Sequence, residues 1–219
     1  MAEEKKIENK VEEAVKDTTA ESKEKEGVVK FTKPYSFEGK EYTEIDLSGL
    51  SKLTVNDAIK AQSQLIDEQE TAAALVTERT TAFARHMAAK TTGYPIEFFK
   101  YMSRGAMKSV QRAVVSSLVG KAESENHVMK FEKPYMYEGS EYTEIDLNGI
   151  ADMTSMNESE AENRLARAGI TIIEPTYNYL YACIIASMAT GKPEKFFEGL
   201  PIVELLKLKT EVNDPDFFE

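Results

Sequence analysis

The chain has 219 residues, of which 42% are hydrophobic and 30% are charged, and its net charge at neutral pH is −11. This composition is sufficient for a folded core, and no apolar run approaches the roughly 20 residues that a membrane helix needs. The single cysteine, Cys183, excludes an intrachain disulfide, as is typical of a reducing cytoplasm. We therefore expect a cytoplasmic protein that does not bind membranes.

The first 26 residues are dominated by charge. They carry six basic and nine acidic side chains and very few apolar ones. Such a segment buries too little apolar surface to offset the entropy of ordering, so residues 1–26 are predicted to be a disordered charged tail. The segment also lacks the apolar stretch of a secretion signal.

After the tail, the sequence contains the same pattern twice. Residues 31–54 return as residues 131–154 at a constant offset of 100, with 15 of 24 positions identical. A second segment, Gly-Tyr-Pro-Ile-Glu-Phe-Phe from Gly93, returns as Gly-Lys-Pro-Glu-Lys-Phe-Phe from Gly191, at an offset of 98. A period this long indicates two copies of a small domain rather than a solenoid. We assign repeat 1 to residues 27–121 and repeat 2 to residues 122–219.

Each repeat opens with the signals of a β-hairpin. A short strand is predicted over Val28–Thr32, and we expect Pro34 to end it because proline donates no ladder hydrogen bond. Glu-Gly at positions 38 and 39 predicts a tight turn, and the alternating pattern of Glu41–Leu47 predicts the second strand. Repeat 2 shows each signal 100 residues later.

Helical signals fill the remainder of each repeat, with Gly93 and Gly191 at positions where helices commonly end. In repeat 1 the predicted helices span about Val55–Glu70, Ala72–Lys90 and Ala106–Val119, with a short helix from Pro95. In repeat 2 they span about Glu158–Ala168, Pro175–Thr190 and Ile202–Val212, with a short helix from Pro193. In repeat 2 the first helix is expected to be capped by Ser155 with Glu158 and to be shorter than its counterpart. The predicted fold class is α+β, mostly helical, with each repeat a β-hairpin followed by a small helical bundle.

No arrangement of residues predicts catalysis or a metal site. The acidic residues of the hairpins could bind hard cations in principle. However, alternate positions of a strand that faces water are polar in any case, and their spacing matches no EF-hand loop. His86 and His127 each lack a counterpart in the other repeat, and no nucleophile or phosphate-binding motif is present. We therefore predict a protein without enzymatic activity, cofactor or metal.

Aromatic and basic residues are the candidates for binding a partner. Neighbouring residues on a helix point about 100° apart, so each Phe-Phe pair either packs wholly into the core or keeps one ring exposed as an anchor. The C-terminal pair either folds back over the last helix or acts as a short docking peptide. Four basic residues, Lys100, Arg104, Lys108 and Arg112, follow i+4 spacing and form one stripe if the helix is continuous. If Gly105 breaks the helix, the stripe is split between two short helices. The stripe is either a solvated face or a contact for an acidic protein. The candidate residues are Phe98, Phe99, Lys100, Arg104, Lys108, Arg112, Phe196, Phe197, Phe217 and Phe218.

The two repeats differ in charge. Repeat 1 carries a net charge of +3 and repeat 2 carries −11. Charge does not decide a fold, but it does bias association. The two repeats could therefore pair with each other within the chain, or the basic stripe of one chain could pair head to tail with a neighbour to form a homo-oligomer. The alternative is that the difference is drift after duplication. The acidic side of that contact is predicted to be Glu158, Glu162, Glu194 and Glu198.

The order of these signals resembles the small tail assembly chaperones of tailed bacteriophages and of related prophage or tailocin clusters. A strand, Lys-Pro, a glycine turn, a second strand, helices and a Gly-x-Pro-x-x-Phe-Phe element follow one another over residues 28–119 and again over residues 128–212. The duplication departs from the usual pattern, in which such chaperones are single short domains or a frameshift-extended version.

The resemblance implies a non-enzymatic protein of the host bacterial cytoplasm that is absent from the finished particle. Its implied partner is the tape measure protein, with the tail-tube protein as a further candidate. Nucleic acid is not an expected partner, because the chain is acidic overall. The alternatives are a structural component or scaffold of a phage tail or tailocin particle, and an acidic adaptor for a host protein.

Overall fold

The computed structural model describes residues 27–170 and 174–217. The predicted tail, residues 1–26, lies outside this part of the chain. The described residues form two separate two-stranded antiparallel hairpins, each followed by helices, which confirms the predicted fold class. Among these helices, none has both the length and the apolar character needed to cross a bilayer.

The two repeats have the same order of elements. Repeat 1 contains β1 (Val28–Phe37), β2 (Lys40–Asp46), α1 (Val55–Asp67), α2 (Thr81–Thr92), α3 (Ile96–Lys100) and α4 (Arg104–Ser117). Repeat 2 contains β3 (Val128–Tyr137), β4 (Ser140–Asp146), α5 (Ser155–Arg167), α6 (Tyr179–Thr190), α7 (Glu194–Glu198) and α8 (Leu205–Glu211). Short 3-10 turns span Ser48–Lys52, Thr71–Ala74, Thr77–Arg79, Asn148–Asp152, Pro175–Tyr177, Ile202–Glu204 and Pro215–Phe217.

The hairpins are longer than predicted, and the prediction that Pro34 ends the first strand is wrong. β1 continues past the proline, and its pairing with β2 shifts register between Lys30 and Tyr35. Because Pro34 lies within this irregular segment, its missing N–H removes no hydrogen bond from the regular pairing of the two strands. The predicted turn is confirmed, because Glu38 and Gly39 both have positive φ, 49° and 77°, as a two-residue hairpin turn requires.

Capping side chains determine where the first helix of each repeat begins. Thr54 and Asp57 form the predicted capping box of α1, in which the Thr54 N–H donates to the Asp57 carboxylate at 3.0 Å. In repeat 2 the cap is Thr154 with Asn157, not the predicted pair that begins at Ser155. The prediction of a shorter helix is also wrong, because this cap lets α5 begin one turn earlier and reach the same 13 residues as α1.

The second helix of each repeat begins later than predicted. Thr80 accepts a hydrogen bond from the N–H of Phe83 at 3.2 Å, and Asn178 accepts one from Leu180 at 2.9 Å, so these two residues cap α2 and α6. The residues before each cap form 3-10 turns instead of helix. The predicted ends are confirmed, with Gly93 and Gly191 in the left-handed conformation at φ 73° and 69°.

The two repeats pack against each other around one continuous hydrophobic core. An antiparallel bridge joins the start of α1 to the segment that follows α7. The N–H of Val55 donates to the carbonyl of Leu200 at 2.9 Å, and the N–H of Ile202 donates to the carbonyl of Leu53 at 2.9 Å. The interface therefore combines backbone pairing with buried apolar side chains.

Polar side chains complete the contact between the repeats. Gln62 donates to the carbonyl of Tyr177 at 3.0 Å and accepts from the N–H of Tyr179 at 2.9 Å. The Glu78 carboxylate accepts from the Tyr179 hydroxyl at 2.9 Å and lies 3.2 Å from the Lys209 ammonium. Burial raises the pKa of Glu78, but its own backbone N–H together with Lys209 and Tyr179 outweighs burial and holds that pKa below its ordinary value.

Candidate functional site

The two Phe-Phe pairs belong to the core. Phe98, Phe99, Phe196 and Phe197 are each at most 1% exposed. No ring is left on the surface, so the interpretation of these four residues as partner anchors is wrong and the core interpretation is confirmed. The physical reason is that the hairpin of each repeat folds over the short helix that carries the pair.

Hairpin aromatics make this contact in the same way in both repeats. The Tyr35 hydroxyl donates to the carbonyl of Phe98 at 2.7 Å, and the Tyr135 hydroxyl donates to that of Phe196 at 3.1 Å. One equivalent position differs. Tyr94 stacks on Phe98 at 4.6 Å, whereas its counterpart Lys192 places its ammonium 4.2 Å from a tyrosine ring centroid of the second hairpin. These aromatic clusters attach each hairpin to its helices.

The basic residues of repeat 1 lie exposed on two helices. Lys100 ends α3, and the other three occupy successive turns of α4. Gly105 lies inside α4 and does not break it. The stripe is nevertheless divided between two helices, because the break falls just before Ser103, whose hydroxyl caps α4. Tyr101 lies in this break and is 75% exposed. We call this surface the basic face: Lys100, Tyr101, Arg104, Lys108 and Arg112.

The equivalent surface of repeat 2 is covered by repeat 1. At the offset of 98, Arg104 corresponds to Ile202, which is 1% exposed and belongs to the bridge to α1. Tyr101 corresponds to Gly199, and Lys108 corresponds to Leu206, which packs against the core. The basic face therefore occupies, in repeat 1, the position that repeat 2 uses to bind its neighbour.

The other side of the interface between the repeats lies on α1 of repeat 1. Here the surface of repeat 1 is buried, and the equivalent surface of repeat 2 is open. Val55, Ala58, Ile59 and Gln62 on α1 are buried. Their counterparts in α5, at the offset of 100, are polar or acidic and are exposed or half-buried. Met156, beside them, is 76% exposed. We call this surface the acidic face: Ser155, Met156, Glu158, Ser159 and Glu162.

Free backbone groups lie at both faces. Within the described residues, the Arg104 N–H and Met102 carbonyl, and the Ser155 N–H and Met153 carbonyl, make no hydrogen bond. They are the equivalents of the four groups that form the bridge between the repeats. Each face thus offers one backbone donor and one backbone acceptor, the equivalents of those that the interface between the repeats already pairs.

Three of the four acids predicted to face the basic stripe accept hydrogen bonds within repeat 2, two of them from basic side chains. Glu194 accepts from Arg164 at 2.6 Å, and Glu198 is largely buried and accepts from Lys195 at 2.6 Å. Glu158 accepts a hydrogen bond from the Tyr181 hydroxyl, and Glu162 is exposed. The acidic side of the predicted contact is therefore confined to α5.

The C-terminal segment folds back. Phe217 is half-buried, packs against the core and lies 4.1 Å from the His127 ring between centroids. This confirms the fold-back interpretation for Phe217, while Phe218 lies outside the described residues.

Elsewhere, Cys183 is buried, and that burial raises the pKa of its thiol. His86 lies 3.2 Å from Glu68 on the surface of repeat 1.

No family model, curated protein or solved structure matches this chain. The candidate site therefore rests on the two faces. Sequence reasoning missed Tyr101 and Met156, because a single exposed side chain leaves no periodic signal. Extending the offset of 98 past the Phe-Phe element would have revealed that Arg104 aligns with the apolar Ile202.

Proposed function

We propose that this protein is a non-enzymatic assembly chaperone that associates head to tail, with the basic face of one chain docked on the acidic face of the next. The observation that supports this is the internal interface. Repeat 2 binds repeat 1 through surfaces whose equivalents are left open, one on each repeat. A contact of this kind is heterologous, so it propagates into a ring or an open spiral instead of closing as a two-fold dimer.

The two open faces are matched in charge. Where the internal interface pairs apolar side chains such as Val55 and Ile202, the end faces carry acidic groups on one side and basic groups on the other. Exposed ion pairs contribute only about 0–1 kcal/mol each, so several pairs together with Tyr101 and Met156 are needed to hold the contact. The association is therefore weak, sensitive to salt and dependent on concentration.

The proposed partner is the tape measure protein in the cytoplasm of the bacterial host, with the tail-tube protein as a further candidate. The support for this is the resemblance of each repeat to the tail assembly chaperones. An array of small modules joined end to end also suits a long, extended partner. The chaperone is released before the particle is complete.

The self-association is tested by charge reversal. Arg104→Glu on the basic face and Glu162→Arg on the acidic face should each weaken association by about fivefold to tenfold, since each replaces attraction by repulsion worth about 1 kcal/mol. A glutamate at the first position of α4 is compatible with the helix. Sedimentation velocity at low and high salt is the measurement.

The double variant R104E/E162R should regain part of the association, because the exchanged glutamate and arginine again attract each other across the contact, although the two faces keep fewer charges than in the unmodified chain. Lys40→Glu, at the exposed turn of the first hairpin, is the matched control and should associate as the unmodified chain does. A chain that stays monomeric at every salt and protein concentration would contradict the proposal.

The partner is tested by co-expression. The full chain should co-purify with a co-expressed tape measure protein, and it should be missing from purified particles analysed by mass spectrometry. Its presence in the particles at stoichiometric amounts would instead support the alternative of a structural tail component. Failure to bind the tape measure protein would leave the self-association result unaffected and would overturn the chaperone assignment.

A further inference from the structure

Three side chains that can ligate a metal ion meet where the linker between the repeats approaches the last helix. One donor atom from each of His127, Glu211 and Asp214 lies within 4.8 Å of the others, and all three residues are half-buried. Asp214 also accepts a hydrogen bond from the N–H of Asp216 at 3.0 Å. Within the described part of the chain, no lysine or arginine forms an ion pair with either carboxylate of this cluster.

The position of the two carboxylates is unfavourable without a cation. Glu211 is the last residue of α8, and Asp214 follows three residues later. The C-terminal end of a helix carries partial negative charge, which disfavours anionic side chains and favours cations. The neighbouring lysines are engaged elsewhere: Lys207 donates to the carbonyl of Lys130 at 2.6 Å, and Lys209 lies 3.2 Å from Glu78.

Repeat 1 has no equivalent of this cluster. At the offsets that align the repeats, Gly27 corresponds to His127, Ala113 to Glu211 and Ser116 to Asp214. Ligating side chains thus occur together at three positions that the common fold does not require to be polar, and one of these positions is more than 80 residues from the other two.

The backbone shows that the histidine is not needed to build the fold. Gly27 has φ +89°, and His127 keeps nearly the same conformation at φ 59°. In each repeat this residue accepts a hydrogen bond at the base of the hairpin, from Leu47 at 2.8 Å and from Leu147 at 3.0 Å. Glycine adopts positive φ without strain, whereas histidine pays a cost there, although a smaller one than most other residues. An interaction of the imidazole offsets that cost.

We propose that His127, Glu211 and Asp214 bind one divalent transition-metal ion of the Zn²⁺ type. Zinc takes imidazole nitrogen and carboxylate oxygen at about 2.0–2.2 Å, so modest side-chain rotation brings the three donors into range. Calcium would require six to eight oxygen ligands, which this cluster does not supply. The Phe217 ring shields one side of the imidazole. The ion ties the linker to the end of α8 and leaves at least one coordination position for water or a donor from a partner.

The test is a calorimetric titration of the untagged full chain with Zn²⁺ after removal of metals with EDTA. We expect one ion per chain. The variants H127G, E211A and D214S, each of which introduces the residue of repeat 1, should weaken binding by about tenfold or more, since even the loss of an outer partner of a ligand costs about 10–100-fold. His86→Gln, at the other histidine, and Asp216→Asn, beside the cluster, should bind as the unmodified chain does.

A second readout follows the ligands directly. Co²⁺ should give visible absorption bands in the unmodified chain and in H86Q, and these bands should be lost in H127G. The H127G variant is expected to fold, since glycine accepts the conformation at that position, and circular dichroism checks this. Absence of Zn²⁺ binding, or binding that H127G does not weaken, would overturn the proposal and leave the three side chains as a polar cluster that holds no metal.

Discussion

Glu78 is the residue at which the stability of the junction between the repeats depends on pH. Its carboxylate is held by Lys209 and by the Tyr179 hydroxyl, and its pKa lies below the ordinary value although burial acts in the opposite direction. A group with a lowered pKa in the folded state releases its proton more readily there than in the unfolded chain. Its contribution to stability is therefore complete above the unfolded pKa and is lost as the pH falls through the folded pKa.

This gives a prediction for Glu78→Gln. The unmodified chain should lose stability on acidification from about pH 6 to about pH 3, and the variant should show a smaller loss over that range while being less stable at pH 7. Urea denaturation at several pH values measures both effects. Glu41→Gln, on the exposed side of the first hairpin, is the control and should leave the pH profile unchanged. A profile for E78Q that parallels that of the unmodified chain would refute the assignment.

The 3-10 turn after each hairpin lies against the end of the second helix, and the two repeats differ in how much space this contact leaves. A glycine occupies the point of closest approach in both repeats. A Cβ atom on Gly149 would lie 2.3 Å from the carbonyl oxygen of Ala189, whereas on Gly49 it would meet the Thr91 side chain at 3.0 Å. Backbone cannot move aside as a side chain can.

Gly149→Ala should therefore destabilise the protein by about 1–3 kcal/mol, the usual range for overpacking. Gly49→Ala, at the equivalent position, should cost less because a threonine methyl group can rotate away. The difference in free energy of unfolding between the two variants is the quantity to measure. Equal losses would show that the two repeats do not differ at this contact.

The capping predictions show what sequence can reveal about single elements. The glycine ends of α2 and α6 and the capping box of α1 follow from local geometry, and the structure confirms them. The predicted cap of α5 lies one residue too late and the predicted first helical residue three residues too late, because threonine and serine stand side by side and both can cap. The predicted strand end at Pro34 is wrong because a register shift depends on the partner strand, which local sequence does not describe.

In the proposed self-association, the two open faces of neighbouring chains would form the same backbone bridge that joins the two repeats within one chain. The Val55 N–H donates to Leu200 at the first position of α1, while the equivalent Ser155 N–H has no partner within the described residues. Proline is favoured at the first helical position, and the preceding residues, Thr54 and Thr154, already have the extended conformation that it requires.

Val55→Pro should therefore destabilise the chain, since it leaves the buried carbonyl of Leu200 without a donor, at about 1–3 kcal/mol, and removes packing of the Val55 side chain. Ser155→Pro should leave the thermal stability of the monomer nearly unchanged yet weaken the salt-sensitive self-association. Thermal unfolding and sedimentation separate the two effects. Self-association of S155P equal to that of the unmodified chain would argue against backbone pairing between chains.

The duplication, the two hairpin turns and the C-terminal ends of most helices follow from the sequence, because positive φ, capping and alternation are properties of neighbouring residues. Packing in three dimensions covers Ile202 and leaves Arg104 open, although the two occupy equivalent places. It also brought His127 beside Glu211, which lies 84 positions further along the chain. Burial and contacts of this kind arise from packing between segments that are distant in the chain. A sequence repeat shows which residues are equivalent, but it does not show which of them are covered by another segment.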